Sequence, residues 1–489
     1  MSKTKHPRIT WFTDSARKQI VDSAKRLLEE VGVFVENDEA LKVLDGARCP
    51  VDKASRRVRM PAAVVEQAVA TAPKRIRLYN RRGEVAMDLG GDRTHFTPGS
   101  AALRIYDARQ RKARFPITAD LVKFASLIDA LPSYASQSTG LISSDVPQDM
   151  QDRYRAYIGL LHCSKPLVTG TFRKDAFRVM HAMLSAVAGG PEKLREKPNA
   201  IFDCCPSPPL KWSDLTTAAL MDCARTGLVA ELISMPLTGA TSPVTLAGAV
   251  TQHCAECLSG IVIHQLVRPG SPIVYGGSPS CFDMRKGTTP MGAIETAMID
   301  GAYAEIGKFL GLPVQAYMAL SDAKSPDYQA GMETAMGAII AVLSGLNNVS
   351  GPGMLDFESC QSLEKLVLDN ETCGMALRLG QGIALRDDPV LSVELMQEGI
   401  QRTSFLPLAH TKKWFRKEVY FPDEVIDRGT LEEWERTGSK DALHRASERV
   451  EQILATRKPE PLGDDLRAQL KELMTAEARQ FGLNELPAL

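Results

Sequence analysis

Neither sign of charge prevails in this chain: Lys plus Arg and Asp plus Glu each number 59 among 489 residues, so the formal net charge is zero. A neutral chain has no overall field to steer it onto nucleic acid or an anionic membrane. The local basic cluster Arg109-Gln110-Arg111-Lys112 reads as a solvated loop. Long apolar runs are also scarce. The longest is read at 336–346, short of the ~20 residues needed to cross a bilayer. The first seven residues carry positive charge with no apolar segment behind them. Cysteine is sparse, ten in all, and in a chain without a secretion signal these are expected as reduced thiols, which places the protein in the cytoplasm. The sequence contains no G-x-G-x-x-G, no G-x-x-x-x-G-K-[ST] and no G-x-S-x-G, so dinucleotide, P-loop and hydrolase-elbow chemistry lose their usual support.

What is present is a regular alternation. The length suits a large barrel with additions at both ends. Residues 1–92 read as an α+β extension: an amphipathic helix at 15–31, extended chain after Gly32, a helix from Met60-Pro61 and a strand at 75–79. From residue 93, short β-rich runs end in small or turn residues and then give way to helical segments. The runs fall at 94–99, 134–140, 166–171, 200–206, 231–236, 272–277, 313–319 and 348–353. Helices are predicted at 118–130, 213–226, 243–266, 290–310 and 329–346, with Thr118 and Ser213 as N-caps and Pro243 and Pro290 near first turns. Strands alternating with helices pair in parallel, and eight units imply a closed (β/α)8 barrel over 93–385. An open doubly wound sheet is the alternative. Residues 386–489 read as a charged helical region, with helices at 442–455 and 466–481 that pack on the barrel or on a second subunit.

Active sites of such barrels lie at the C-terminal strand ends. Here those ends are rich in Gly, Ser, Thr and Pro, which either serve turns and helix starts or let a large flat ligand approach the backbone. His253 and Cys257 share a helix face with Cys254 nearby, which opens a zinc-dependent transferase as an alternative; small buried side chains are the plainer account. Cys204-Cys205 ends the fourth strand and either presents a thiol or, more plainly, serves as small buried hydrophobes. The loop after the seventh strand concentrates polar chemistry, with Ser321, Asp322 and Lys324 as catalytic candidates; Asp327 alternatively just caps the next helix.

Those residues also carry a resemblance. The run Ser321-Asp322-Ala323-Lys324-Ser325-Pro326-Asp327-Tyr328-Gln329-Ala330-Gly331 resembles the trimethylamine:corrinoid methyltransferase family, as does Leu346-Asn347-Asn348-Val349-Ser350-Gly351-Pro352-Gly353-Met354-Leu355-Asp356. Tyr275-Gly276-Gly277, Gly287-Thr288-Thr289-Pro290 ahead of Gly292-Ala293-Ile294-Glu295, and Leu368-Asp369-Asn370-Glu371 are similar to it too, so the likeness runs nearly end to end. The resemblance implies a (β/α)8 barrel that passes a methyl group to the cobalt of a corrinoid on a separate small protein, with no cofactor bound tightly by the barrel itself. Trimethylamine-specific members use pyrrolysine in this region, whereas this chain reads through as Ser321-Asp322-Ala323. It thus resembles the non-pyrrolysine branch, whose substrates include quaternary amines such as glycine betaine.

Chemistry is consistent with that branch. The leaving group of a quaternary ammonium is already a neutral amine, so the protein need only hold the cation, exclude water and align N–CH₃ with cobalt. Aromatic faces and a carboxylate would recognise the cation, each aromatic adding ~0.5–2 kcal/mol. The substrate-binding candidates are His95, Phe96, Phe172, Phe202, Asp203, Glu231, Tyr275, Gly276, Gly277, Tyr317, Gln329, Gly351 and Gly353. For a substrate carboxylate the candidates are His95, Arg173 and Lys324. The partners expected are a small methylated amine and a corrinoid protein, with no nucleic acid or membrane, in a homo-oligomer. A barrel that binds amine or corrinoid protein without catalysis is the second alternative.

Overall fold

The structure, a computed structural model, describes residues 6–457 and 459–488; the reading of the extreme N-terminus falls partly on residues 1–5, outside them. Its centre is a sheet of eight parallel strands: β1 (His95–Thr97), β2 (Gln137–Ser138), β3 (Leu167–Thr169), β4 (Ala200–Cys204), β5 (Val229–Leu232), β6 (Ile273–Gly277), β7 (Val314–Tyr317) and β8 (Asn348–Ser350). They pair in the order β1-β8-β7-β6-β5-β4-β3-β2. The ring closes where Phe96 bridges Tyr134 in parallel and Ala135 N–H donates to the Phe96 carbonyl. The chain is a (β/α)8 barrel, as its alternation of short apolar runs and helices requires. The fifth strand starts at Val229, two residues before the sequence reading placed it.

Side-chain alternation along strands turns Val168, Ile201, Val229 and Val274 to the barrel axis. There they pack on Ile76, Leu78, Met87 and Leu89. These four come from a hairpin of Ile76–Tyr79 with Val85–Leu89, which closes the N-terminal end of the barrel. Only its first strand was read from the sequence. The lead-in is stitched to the barrel rather than set apart. Val33–Val35 runs parallel to Lys211–Trp212, and the helix Asp14–Arg26 lies on the long helix Leu246–Val267. That first helix ends earlier than expected, in a wider turn at Leu27–Val31 before Gly32 turns the chain at φ 75°.

The helix Leu246–Val267 corrects the reading that no apolar run approaches membrane length: at 22 residues it is long and apolar enough to cross a membrane by length and composition alone. It is apolar all round because it is enclosed and mostly buried, by N-terminal helices outside and the barrel inside. In the C-terminal region, Ala442–Thr456 packs on the last barrel helix Leu363–Gly380, and Asp464–Gln480 packs on Ala176–Ala188 and Gln151–His162. Buried Arg153 ties the latter junction, donating to Glu477 at 2.6 Å. The ten cysteines are free thiols.

Candidate active site

One step above the apolar floor, the same strand face carries Gly170, Asp203, Glu231 and Gly276, and β7 and β8 add Gln315, Tyr317 and Asn348. The hydrogen bonds prove that these side chains share the lumen, because they cross it. Asn348 Nδ2 on β8 donates to Glu231 on β5 at 3.0 and 3.3 Å. The Tyr317 hydroxyl on β7 donates to Asp203 Oδ2 on β4 at 3.2 Å. Asn348 Oδ1 accepts from the Thr97 hydroxyl at 2.8 Å, and Thr97 meets Ser136 at 2.5 Å. Arg155, from the helix Gln151–His162, enters from the side. Its guanidinium donates to the carbonyls of Thr139 at 3.1 Å and Gly170 at 3.3 Å, and it stacks 4.4 Å from the Phe172 ring.

Burial governs the electrostatics here. Asp203 is pushed up to about 7 by desolvation, against the opposing effects of the Tyr317 hydroxyl and Arg155. Glu231 is raised well above the carboxylate range by desolvation and then by the charge of Asp203. The charge of Asp203 raises Glu231 while their contact lowers Asp203, so Glu231 is the acid held protonated to higher pH. Arg155 is brought down to about 10 by burial. Around this group, Asp203 Oδ1, Gln315 Nε2, Arg155 Nε, Ser350 Oγ and Glu358 Oε1 are all buried without a protein hydrogen-bond partner. Buried polar atoms are nearly always paired. Five exceptions in one lumen describe a site shaped for a polar ligand. Cys205, a thiol beside Asp203, is held protonated, its pKa raised first by burial and then by that carboxylate.

The sequence-derived residues divide cleanly by position. Asp203, Glu231 and Tyr317 meet in the lumen, and Phe172, 41% exposed, stands at its rim. Gly276 belongs to it by absence of bulk: a Cβ there would lie 2.4 Å from Gln315 Oε1, which must reach across to accept Gly277 N–H at 3.1 Å. Gly351, at φ 155°, has no room for a Cβ against the Met318 carbonyl, and Gly353 N–H is bound by Asp369.

The others sit elsewhere. Phe96, Phe202 and Tyr275 belong to the outer layer of the barrel rather than to a cage. Phe202 packs on Phe177 with centroids 4.8 Å apart, and Tyr275 meets His253 and Tyr303. Gly277 also faces outward, toward His253. His95 is at the opposite end of the barrel, where its Nε2 accepts from Asp88 N–H of the closing hairpin. Arg173 is used in surface ion pairs with Asp149 and Asp175. Ser321 and Asp322 tie rim loops together. Ser321 donates to Glu333 at 2.6 Å, and Asp322 accepts from Met291 and Gly292 N–H at 2.9 and 3.0 Å. Burial, opposed by those N–H donors, leaves Asp322 at about 6. Gln329 donates to Glu333 from an exposed position, and Asp327 does cap the following helix through Ala330 N–H. Lys324 spans to Asp356 at 3.3 Å.

Sequence reasoning missed Arg155, Gln315 and Glu358. Arg155 lies in a helix rich in charge, where nothing local separates a buried guanidinium from a solvated one. His253 and Cys257 both engage the Gly276 carbonyl, and among the described residues no three His, Cys, Asp or Glu side chains are grouped to hold a metal ion. The zinc alternative finds no ligand set there.

Comparison with known proteins gives the family. A profile of the trimethylamine methyltransferase family matches residues 2–482. A trimethylamine methyltransferase from Methanosarcina thermophila is 31% identical over 463 residues, covering 93% of this chain and 95% of that protein. A glycine betaine methyltransferase from Desulfitobacterium hafniense is 28% identical over 480 residues, covering 97% and 98%. A crystal structure of the Methanosarcina barkeri monomethylamine methyltransferase superposes with a TM-score of 0.48 at 11% identity, covering 90% of this chain and 92% of that one. The chain belongs to the trimethylamine methyltransferase family and is, like its relatives, a methyltransferase.

Proposed function

We propose that this chain takes a methyl group from a betaine-like quaternary amine and delivers it to the Co(I) of a corrinoid carried by a separate small protein. One observation carries the substrate assignment. The lumen gathers three carboxylates, Asp203, Glu231 and Glu358, against one guanidinium, Arg155, and both kinds of group keep unused bonding capacity. An ammonium suits the acids, and a substrate carboxylate suits the free Arg155 N–H. Tyr317 at the wall and Phe172 at the rim supply aromatic faces.

A corrinoid protein docked at the mouth would supply a Co(I) nucleophile for the N-methyl carbon, with the electrons of the broken C–N bond staying on nitrogen as a neutral tertiary amine leaves. No protein nucleophile is needed, consistent with a protonated Cys205. The protein's part is orientation and exclusion of water. We place the protein in the cytoplasm, where its free thiols stay reduced. We also take it as a homo-oligomer: Ile383, Val390, Val393, Ile400 and Leu406 are each more than half exposed, an apolar surface that a second copy would cover.

The test follows cobalamin absorbance. Purified protein is mixed with cob(I)alamin, or with its corrinoid protein, and with glycine betaine, carnitine, choline and trimethylamine in turn. Methyl-Co(III) formed from one quaternary amine is the expected result. Turnover of trimethylamine alone, or of none with an active corrinoid protein present, would overturn it.

A further inference from the structure

Between Met354–Leu355 and Cys360–Gln361 the chain turns through Asp356, Phe357 and Glu358, at φ 51°, 55° and 66°. Three successive residues with side chains in the left-handed region are costly, and such conformations persist only where the surroundings over-determine them. Here they do. Asp356 N–H donates to the Ala323 carbonyl at 2.9 Å, Ser359 N–H to the Asp356 carbonyl at 2.9 Å, and Arg104 N–H to the Ser359 carbonyl at 3.0 Å. Lys324 locks the turn to the loop after β7, with Nζ 3.3 Å from Asp356 and 3.8 Å above the Phe357 ring. Glycine would form this turn without strain, yet none of the three is glycine. The turn directs Glu358 inward: the residue as a whole is half-buried at the rim, while its Oε1 is fully buried and lacks a partner. The carboxyl lies close enough to Tyr317 and Asp300 to raise both, and is itself raised by burial and then by the charge of Asp203. With Phe96, Phe202 and Tyr275 facing out of the barrel, aromatic faces alone do not account for holding a cation there.

We infer that Glu358, presented by this clamped left-handed turn, is the residue that fixes the N-methyl cation at the mouth of the barrel. The inference rests on the methyl-donor assignment above and adds the recognition group and the device that aims it.

The test separates charge from shape. Calorimetry on the full chain compares glycine betaine with its uncharged-head isostere 3,3-dimethylbutyrate, and choline with 3,3-dimethylbutanol. In Glu358→Gln, affinity for the two cations is expected to fall about thirtyfold or more, the usual scale for removing one partner of a buried charge pair. Affinity for the two isosteres should stay within about twofold, well inside the effect of one lost charge pair. Equal losses for cation and isostere, or an unchanged cation affinity, would overturn the inference. Wild-type protein that binds neither cation overturns the methyl-donor assignment together with this inference, whereas wild-type binding that Glu358→Gln leaves intact overturns only the latter. Should Glu358→Gln fail to fold, Glu358→Asp keeps the charge and shortens its reach; it is expected to bind both cations more weakly and both isosteres as before, and unchanged cation affinity would overturn the inference.

Discussion

Replacing Arg155 with Met probes the other half of the recognition scheme, and the structure sets the expected size of the effect. The guanidinium is wholly buried, and burial, partly offset by the charges of Asp152 and Asp203, brings it down to about 10, so at neutral pH its charge carries a net cost of about 3 kcal/mol. The sign follows from a depressed cationic pKa: the cost is present in full at every pH below 10 and fades only as pH rises from there toward 12.5. Against it stand two charge-assisted bonds to the carbonyls of Thr139 and Gly170, together worth about 3 kcal/mol, and the stack on Phe172. Methionine removes both sides of this balance at similar volume, so the change in stability should stay within about 2 kcal/mol. Binding is not balanced in the same way. A substrate carboxylate loses the one cationic partner that the described residues place in the lumen and should bind about 2–5 kcal/mol more weakly, some thirty- to several thousand-fold. Choline, which has no carboxylate, should bind Arg155→Met as it binds the wild type. Thermal shift and calorimetry with glycine betaine and choline make the comparison. Equal losses for both ligands would show that Arg155 does not meet a carboxylate, and a collapse of the melting temperature would make it a structural residue.

Two further outcomes follow from the lumen. Asp203 titrates at about 7, above its unfolded value of 3.8, so its contribution to stability is fully present below pH ~4 and is lost as pH rises toward 7. Ionisation in that same window should strengthen cation binding, so the Kd of a quaternary amine measured from pH 5.5 to 8.5 should fall through about 7, and Asp203→Asn should flatten the curve. Gly276→Ala sets a Cβ 2.4 Å from Gln315 Oε1 and 2.9 Å from the Leu232 carbonyl. It should cost about 1–3 kcal/mol by overpacking, read by thermal shift, and lower substrate affinity by displacing Gln315, whereas Gly46→Ala, which meets nothing within 4 Å, should leave affinity unchanged.

Much of the scaffold was legible in the sequence because barrel strands and helices are local objects. A run such as Pro272-Ile273-Val274-Tyr275 with Gly276-Gly277 behind it signals a buried strand ending in a turn, and eight such units with helices between them leave few ways to pair. Asp203, Glu231 and Tyr317 were legible for a related reason: polar residues near the end of an otherwise apolar strand need a purpose. The direction of a side chain from such a strand was less so. Phe96, Phe202 and Tyr275 stand one position out of phase with the lumen residues Thr97, Asp203 and Gly276, and that phase was set only when the hairpin Ile76–Tyr79 and Val85–Leu89 claimed Val168, Ile201, Val229 and Val274 as the inward face.

What the sequence by itself determined, then, was the alternation of elements, the family resemblance and the chemistry of the strand ends. Tertiary structure decided which groups act together. Arg155 reaches the lumen from a helix that carries no local mark of burial. Glu358 reaches it through a left-handed turn that no propensity favours and that Lys324, thirty-odd residues earlier, helps to hold. Local sequence encodes the period and propensity of an element, but burial, pairing and strain arise between segments distant along the chain, and they exist only once the barrel has closed.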